Sequence, residues 1–464
     1  MSFTLEEAHE RQKRGQFQEA EQMYTALLED HPDHWMTLFF LGTLYLQTNR
    51  NGLALQMFKV ALQTKPNSPE LWNNIGTAYK RMNCNDEAKK ALLRCASMVD
   101  DADAYSNLST IFINEGCPEH GLKFSDKALE VDNKHYQAHW NRSLLLLEMG
   151  RYEEGFEQYF WGIRSKDRIT KDYNCGYWKG QKNKNVVVYG EQGIGDELMF
   201  ASCLPDLIKD SKNVIFDCHP RLIGLFERSF GVKCYPTRKD LNTDWHWDEN
   251  IDYKTPIGNL PHAYRKSIKS FPGKPYIKVD PEKVKAMRAK LEELGPGPYI
   301  GVSWYGGKKK TRVDLRSMPF EKMMDIFKDL PFTPQLVSMQ YTKDHEIEAV
   351  KAGIPHWGDI LYAPDYEETA ALAQALDLVI SVNTSLVHLC GAIGQEVWVA
   401  TPQKCAWRYY SPDNKSMPWY GSATIYKQEV PGEWEDVVKK IAGDLTKRYA
   451  SDAPTPVVAS ATGG

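Results

Sequence analysis

The sequence predicts an α-helical solenoid followed by an α/β domain pair whose two lobes face a cleft. Small residues recur every 33 or 34 positions through the first third of the chain. Beyond residue 185, short apolar runs alternate with helical patterns, which is typical of parallel sheets covered by helices. The length of 464 residues also exceeds the roughly 250–300 residues that one core usually reaches, so several domains are expected.

The helical repeat is defined by one small residue in the first helix of each unit and another twelve positions later. The first set is Ala8, Gly42, Gly76, Ser109 and Ser143, and the second is Ala20, Ala54, Ala88, Gly121 and Gly155. Small side chains let the two helices of a unit pack closely, and a helix–turn–helix of about 34 residues is the TPR pattern. Five units are therefore predicted over residues 1–169.

Three asparagines recur two positions before the small residue, on the concave face of the predicted array: Asn74, Asn107 and Asn141. A side-chain amide can pair with both the N–H and the C=O of an extended peptide. The pattern resembles the asparagine ladder of the O-GlcNAc transferase TPR array, which implies a groove for a protein partner. The alternative is that each asparagine bonds only neighbouring turns of the array.

The rest of the chain is predicted to contain a linker, two Rossmann-like lobes and a tail. Residues 170–185 are polar and break the helical period, and residues 450–464 are of low complexity and expected to be disordered. The N-terminal lobe is placed at 186–280 and the C-terminal lobe, with a closing helix, at 281–449. Strands are expected at 186–189, 214–217, 232–235, 299–304, 336–339, 378–382 and 397–400.

Composition excludes some function classes. The net charge of −4 gives no electrostatic reason to expect nucleic-acid binding. No apolar run is long enough for a membrane span, and the N-terminus lacks the apolar core of a secretory signal. The nine cysteines are scattered without a C-x-x-C pair, as expected for thiols in a reducing compartment. A cytoplasmic location is therefore expected.

The first candidate site is a glycine-rich turn between a strand and a helix, which contains Gly193, Gly195 and Asp196. Glycines let backbone N–H groups approach a ligand, and a helix N-terminus favours negative charge. A carboxylate at Asp196 can remove the proton of an attacking hydroxyl. The alternative is that Asp196 only caps the helix.

The second candidate site follows the strand at 378–382 and comprises Asn383, Thr384, Ser385 and His388. Hydroxyls and N–H groups at the start of a helix form an anion site suited to a diphosphate. His388 lies on the same helical face as Ser385 and is a candidate donor to a phosphate oxygen. The alternative is a structural histidine.

The third candidate site is a basic loop after the strand at 299–304. Two glycines precede Lys308, Lys309, Lys310 and Arg312, and Arg316 with Ser317 are the expected donor contacts. The alternative for most of the lysines is a solvated basic loop. The D-x-D of metal-dependent sugar transferases occurs only at Asp101 and Asp103, inside the repeat array. No metal ion or cofactor is therefore expected, and helix N-termini with cations would meet the charge of a leaving group.

These motifs occur in the same order as in a known group. The stretches VVVYGEQGIGDELMFASCLPDL, GVSWYGG, LRSMP and DLVISVNTSLVHLCGAIGQEVWV, with Ala406-Trp407-Arg408 and Pro418-Trp419-Tyr420, resemble the bacterial TPR-linked proteins of the heptosyltransferase-like glycosyltransferase family 9. The resemblance implies a GT-B fold, with acceptor in the first lobe and nucleotide sugar in the second, inverting transfer, and Asp196 as base. Asn383 departs from the family, which usually has Asp there.

The expected function is therefore metal-independent, inverting transfer of a sugar from a nucleotide-sugar substrate to a hydroxyl of a protein or glycan acceptor. The alternative from another class is a TPR binding scaffold on a catalytically silent GT-B domain, which Asn383 favours. A GT-B-fold epimerase is a third alternative, but it gives no reason for a repeat array.

Overall fold

The computed structural model describes residues 4–236, 244–307, 313–410 and 412–449. It divides into two compact units. The first unit runs to Met149 and includes Gln158–Ser165. The second unit consists of Gly150–Glu157 and of the chain from Lys166 onward. Lys308–Arg312, the basic part of the third candidate site, lie outside the described residues.

The first unit is built from consecutive helix pairs with the predicted period. Its helices are α1 (Leu5–Lys13), α2 (Phe17–Asp30), α3 (Trp35–Gln47), α4 (Asn51–Thr64), α5 (Pro69–Arg81), α6 (Asn85–Ala96), α7 (Ala102–Glu115), α8 (Pro118–Val131) and α9 (Tyr136–Glu148). Ser68 caps α5 by accepting a bond from the Leu71 N–H, and Asp101 caps α7 in the same way. The predicted helical array is confirmed.

The small residues of the repeat do what their spacing predicts. A Cβ at Gly42 would lie 2.5 Å from the Phe58 ring, and one at Gly76 would lie 2.5 Å from the Leu92 side chain. Each glycine therefore makes room for the large side chain that fills the gap between its helix and the next. Phe58 and Leu92 are fully buried as a result.

The predicted fifth repeat is divided between the two units. α10 (Tyr152–Gln158) follows α9 and is succeeded by the short helix α11 (Trp161–Arg164). Most of α10 belongs to the second unit, where the Phe156 ring lies 5.9 Å from that of Trp407 and 6.4 Å from that of Trp419. Phe156, which lies in the predicted fifth repeat, thus packs in the core of the second unit.

Two sheets form the second unit. The first has the order β1-β5-β2-β3-β4, with all strands parallel, and its strands are β1 (Gly176–Tyr177), β2 (Asn185–Tyr189), β3 (Asn213–Cys218), β4 (Lys233–Pro236) and β5 (Tyr253–Pro256). The helices of this lobe are α12 (Ile194–Phe200), α13 (Leu204–Asp210), α14 (Ile223–Phe230) and α15 (Leu260–Tyr264). Val187 pairs with Ile215 on one side and Lys254 on the other, so β2 lies in the middle of the sheet.

The second sheet has the order β10-β11-β9-β8-β6-β7, and only β10 runs antiparallel to its neighbour. Its strands are β6 (Tyr299–Ser303), β7 (Gln335–Ser338), β8 (Leu378–Val382), β9 (Val397–Thr401), β10 (Ser416–Met417) and β11 (Tyr420–Lys427). The helices of this lobe are α16 (Pro281–Glu292), α17 (Val313–Arg316), α18 (Phe320–Asp325), α19 (Lys343–Lys351), α20 (Gly358–Leu361), α21 (Glu367–Ala375), α22 (Ser385–Ile393) and the closing helix α23 (Glu435–Tyr449).

All seven predicted strands are confirmed to within one residue at either end. Four strands were not predicted: β1, β5, β10 and β11. β1 lies inside the predicted linker and has only two residues, and β5 contains Lys254 and Thr255 instead of an apolar run. The α/β class is confirmed.

Each sheet has one position where successive strands are added on opposite sides, and ligands of open α/β sheets bind at such positions. In the first sheet this position is the carboxyl end of β2, where the glycine-rich turn begins. In the second it is the carboxyl end of β6 and β8, where the Gly306–Gly307 loop and the Asn383–Thr384 turn begin. The topology therefore places all three candidate sites at the expected edges.

Candidate active site

The glycine-rich turn needs two of its glycines for close packing. A Cβ at Gly190 would lie 2.2 Å from Oε1 of Glu197. One at Gly195 would lie 2.9 Å from the His388 ring and 3.3 Å from the Ser385 Cα. Gly195 thus lets α12 of the first lobe contact α22 of the second, which brings the first and second candidate sites together.

Both carboxylate oxygens of Asp196 are engaged. Oδ2 accepts the Gly193 N–H at 3.1 Å, the helix-capping role considered as the alternative. Oδ1 lies 2.6 Å from Nη2 of Arg408, and the two side chains are 19% and 21% exposed. This contact is an ion pair, and Oδ1 accepts no hydrogen bond from the described residues. Asp196 therefore both caps α12 and joins the first lobe to the loop after β9.

The Asn383–Ser385 turn combines satisfied and unsatisfied polar groups. Thr384 caps α22, its Oγ1 accepting the Leu386 N–H at 3.2 Å, and Oγ of Ser385 lies 3.0 Å from the Tyr366 hydroxyl. Asn383 is only 1% exposed, yet neither atom of its amide group has a hydrogen-bond partner among the described residues. A buried amide without partners costs about 1–3 kcal/mol. The cost indicates a position shaped for an interaction with another group.

His388 is held by two tyrosines. Its Nδ1 lies 3.1 Å from the Tyr420 hydroxyl, and its Nε2 lies 3.2 Å from the Tyr409 hydroxyl. Burial, together with the positive charge of Arg408, lowers the pKa of His388 to about 3. The ring is therefore neutral at physiological pH, and both nitrogens are used within the protein. This is the structural role considered as the alternative, and the ring has no nitrogen left for a phosphate oxygen.

Acid should destabilise the protein through His388. Its pKa is lower in the folded chain than the ordinary 6.5, so stability is fully present above pH 6.5 and is lost as the pH falls towards 3. The loss is at most about 1.4 kcal/mol per pH unit. Between pH 7 and pH 5, urea unfolding of the wild type should lose about 2 kcal/mol more than that of His388→Gln. If the free energy of unfolding changes with pH equally in the wild type and in His388→Gln, burial of His388 has no such effect.

Arg316 and Ser317 lie around the glycine loop after β6. Nη2 of Arg316 donates to the Gly306 carbonyl at 3.2 Å, and Oγ of Ser317 accepts the Gly306 N–H at 3.4 Å. A Cβ at Gly306 would lie 2.3 Å from Cγ2 of Thr384. The loop therefore packs directly on the Asn383–Ser385 turn, and the third candidate site adjoins the second.

Three residues that were not among the predicted site residues complete the cluster: Arg408, Tyr409 and Tyr420. Tyr409 is buried, and the charges of Arg408, Arg316 and Asp196 all act on its hydroxyl. Arg408 lies in a sequence stretch that carried the family resemblance, which was the only signal for it. We refer to Asp196, Arg316, Asn383, His388, Arg408, Tyr409 and Tyr420 as the inter-lobe cluster.

The predicted peptide-groove asparagines are bonded mainly within the repeat array. The Asn107 amide donates to Oδ1 of Asn73 at 3.2 Å, and that of Asn141 donates to the Ser106 carbonyl at 3.0 Å. Each donates to the helix of the preceding repeat, as in the alternative interpretation. Asn74 is half-buried on α5.

Three further observations describe the chemistry of the molecule. Within the described ranges, no three His, Cys, Asp or Glu side chains are grouped as a metal ion would require. All nine cysteines are free thiols. None of the helices in the described part of the chain has the length and apolar composition needed to cross a bilayer.

Comparisons with known proteins identify the repeats. Residues 5–69 and 69–98 match two tetratricopeptide repeat families. Protein FlbA of Caulobacter vibrioides is 26% identical over 95% of this chain and 83% of its own length. Tetratricopeptide repeat protein 8 of Caenorhabditis elegans is 26% identical over 31% of this chain and 29% of its own length.

Among solved structures, MamA covers 36% of this chain and 97% of its own, at 19% identity and a TM-score of 0.32. A tetratricopeptide repeat protein from Parabacteroides merdae covers 36% of this chain and 66% of its own, at 18% identity and a TM-score of 0.31. On the family matches and the period of its helices, the N-terminal region of this chain is an array of tetratricopeptide repeats.

Proposed function

We propose that the α/β unit is a GT-B glycosyltransferase that transfers a sugar, with inversion and without a metal ion, from a nucleotide sugar to a hydroxyl group. The observation that carries the proposal is the contact of 2.6 Å between Asp196, after β2, and Arg408, after β9. It joins the carboxyl-end edges of one parallel and one mostly parallel sheet, and open α/β folds bind their ligands at such edges.

The inter-lobe cluster contains the groups that such a transfer requires. Asp196 is a carboxylate able to take the proton of an acceptor hydroxyl, and Arg316 and Arg408 are cations able to meet the charge of a departing diphosphate. The Asn383 amide, buried without a partner, is suited to a hydroxyl of the donor sugar. Thr384 and Ser385, at the N-terminus of α22, supply an anion site.

The repeat array suits a protein partner, which we propose is the acceptor or carries it. Arrays of this kind present extended concave surfaces for polypeptides. Of the three asparagines, Asn74 is the one for which no hydrogen bond is described above. It is therefore our candidate for contact with a bound polypeptide. A cytoplasmic location would supply nucleotide sugars and agrees with nine free thiols.

The first test is thermal-shift screening of the full chain with ADP-, UDP-, GDP- and CDP-sugars in the presence of EDTA. A ligand at about 100 times its Kd stabilises the folded state by about 2.7 kcal/mol, which raises Tm by about 5–10 °C for a unit of this size. One nucleotide should give this shift and the other three much smaller ones. If no nucleotide sugar raises Tm, the silent-scaffold alternative is correct.

A further inference from the structure

The contact between Arg408 and Asp196 conflicts with the role proposed for Asp196. A general base needs a free lone pair within hydrogen-bond distance of the proton it removes. Oδ2 of Asp196 accepts the Gly193 N–H, and Oδ1 is bound by the Arg408 guanidinium. The Gly193 bond is part of the helix cap, so Arg408 is the partner that must leave before an acceptor hydroxyl can bind Oδ1.

The backbone of Arg408 is fixed while its side chain remains partly exposed. Trp407 and Tyr409, on either side, are 8% and 5% exposed, and together they form a single turn of 3-10 helix with Arg408. The Trp407 ring packs against those of Trp419 and Phe156. The guanidinium lies 5.6 Å from the Trp407 ring and its side chain is 21% exposed. The core therefore holds the backbone of Arg408, while part of its side chain reaches solvent.

The surroundings of Arg408 favour an anionic ligand. Arg316 carries a second positive charge that acts on Tyr409, and His388 is neutral. Asp196 is the carboxylate that faces these cations, while the carboxylate of Glu197 is turned to the His219 N–H at 2.7 Å. A diphosphate brings more negative charge than one carboxylate and accepts bidentate bonds from a guanidinium.

We propose that Arg408 is a donor-binding residue that exchanges partners, moving from Asp196 to the diphosphate when the nucleotide sugar binds. The exchange frees Oδ1 of Asp196 for the acceptor hydroxyl, so the donor binds first. Asp196 then takes the hydroxyl proton as the acceptor oxygen bonds to the anomeric carbon. The bond from that carbon to the diphosphate oxygen breaks, its electron pair leaves with the diphosphate, and Arg408 meets the added charge. This inference rests on the proposed function.

The exchange is tested by a double-mutant cycle on nucleotide binding, independent of turnover. Titration calorimetry of the full chain, at fixed ionic strength in EDTA, uses ADP, UDP, GDP, CDP and inorganic pyrophosphate as probes. Arg408→Gln should weaken binding of the recognised probe about 10- to 100-fold, as expected for loss of a charge-assisted bond. Asp196→Asn should tighten binding about 3- to 30-fold, because the carboxylate no longer competes for Arg408.

The double variant Asp196→Asn with Arg408→Gln distinguishes partner exchange from simple repulsion of the anionic ligand by Asp196. If Asp196 acts only by repelling anions, its replacement tightens binding even without Arg408. If it competes for Arg408, the gain disappears and the double variant binds like Arg408→Gln alone. Arg94→Gln, at an exposed position in the repeat array, controls for the loss of one positive charge.

Two outcomes would overturn the exchange: unchanged or weaker binding by Asp196→Asn, or a gain that persists in the double variant. Either leaves the proposed function intact, because the wild type still binds a nucleotide. If no probe binds the wild type, the exchange and the proposed function fail together. Should Arg408→Gln not fold, Arg408→Lys takes its place in the single and double variants of the cycle.

Discussion

Replacing Asp196 by Asn is expected to slow cleavage of the nucleotide sugar about 10²- to 10⁴-fold, the usual contribution of a general base. Asn keeps the size of the side chain and an oxygen that can accept the Gly193 N–H. The α12 cap is therefore retained while proton removal is lost. The rate is measured as release of nucleoside diphosphate with water as the acceptor, which allows the test before the natural acceptor is known.

The matched control is Asp329→Asn, which removes a carboxylate at an exposed position after α18 and should leave the rate unchanged. Asp196→Asn must bind the nucleotide at least as tightly as the wild type, since the base is not needed to hold the diphosphate. A rate within a factor of three of the wild type, with the nucleotide bound, would show that another group removes the proton.

The largest effect on stability is expected from Arg168→Met. The Arg168 and Glu191 side chains are 1% and 0% exposed, and Nη2 of Arg168 lies 2.7 Å from Oε1 of Glu191. Arg168 also donates to Oδ1 of Asn259 at 2.9 Å. Losing one member of a buried ion pair leaves the other charge uncompensated and costs about 3–5 kcal/mol. The Tm of the α/β unit should fall by about 6–20 °C in scanning calorimetry.

The double variant Arg168→Met with Glu191→Gln should recover part of this loss, because it removes the stranded carboxylate. Lys285→Met, at an exposed position on α16, is the control and should change Tm by no more than about 2 °C. A loss of less than about 1 kcal/mol in Arg168→Met would contradict the expected cost of leaving the Glu191 carboxylate buried without its partner.

The strands and the repeat period were predictable because their signals are local. β8 is a run of five apolar or small residues, and all five are buried. The small residue at Gly42 and the large one at Phe58 belong to one helix pair, so their spacing alone implies their contact. β5 was missed because it lies inside the sheet without being an apolar run. Its Lys254 is accommodated there because the ammonium group bonds Oδ1 of Asp172 at 2.8 Å, a contact that the local sequence does not reveal.

The candidate site was predictable in its position but not in its bonding. Gly195 and Asp196 could be placed at a strand end from sequence. The ion pair of Asp196 with Arg408 joins residues 212 positions apart and needs the packing of both lobes. The tyrosine partners of His388 lie 21 and 32 positions further along the chain, in or beside the stretches whose only signal was the family resemblance.

The most direct test of the central claim uses the nucleotide sugar that gives the largest thermal shift. The full chain is incubated with it in EDTA, and the released sugar is followed by NMR. We expect steady release of nucleoside diphosphate without a metal ion. The sugar that is released first should have the anomeric configuration opposite to that of the donor. Retention of the donor configuration, or cleavage only after a divalent cation is added, would contradict it.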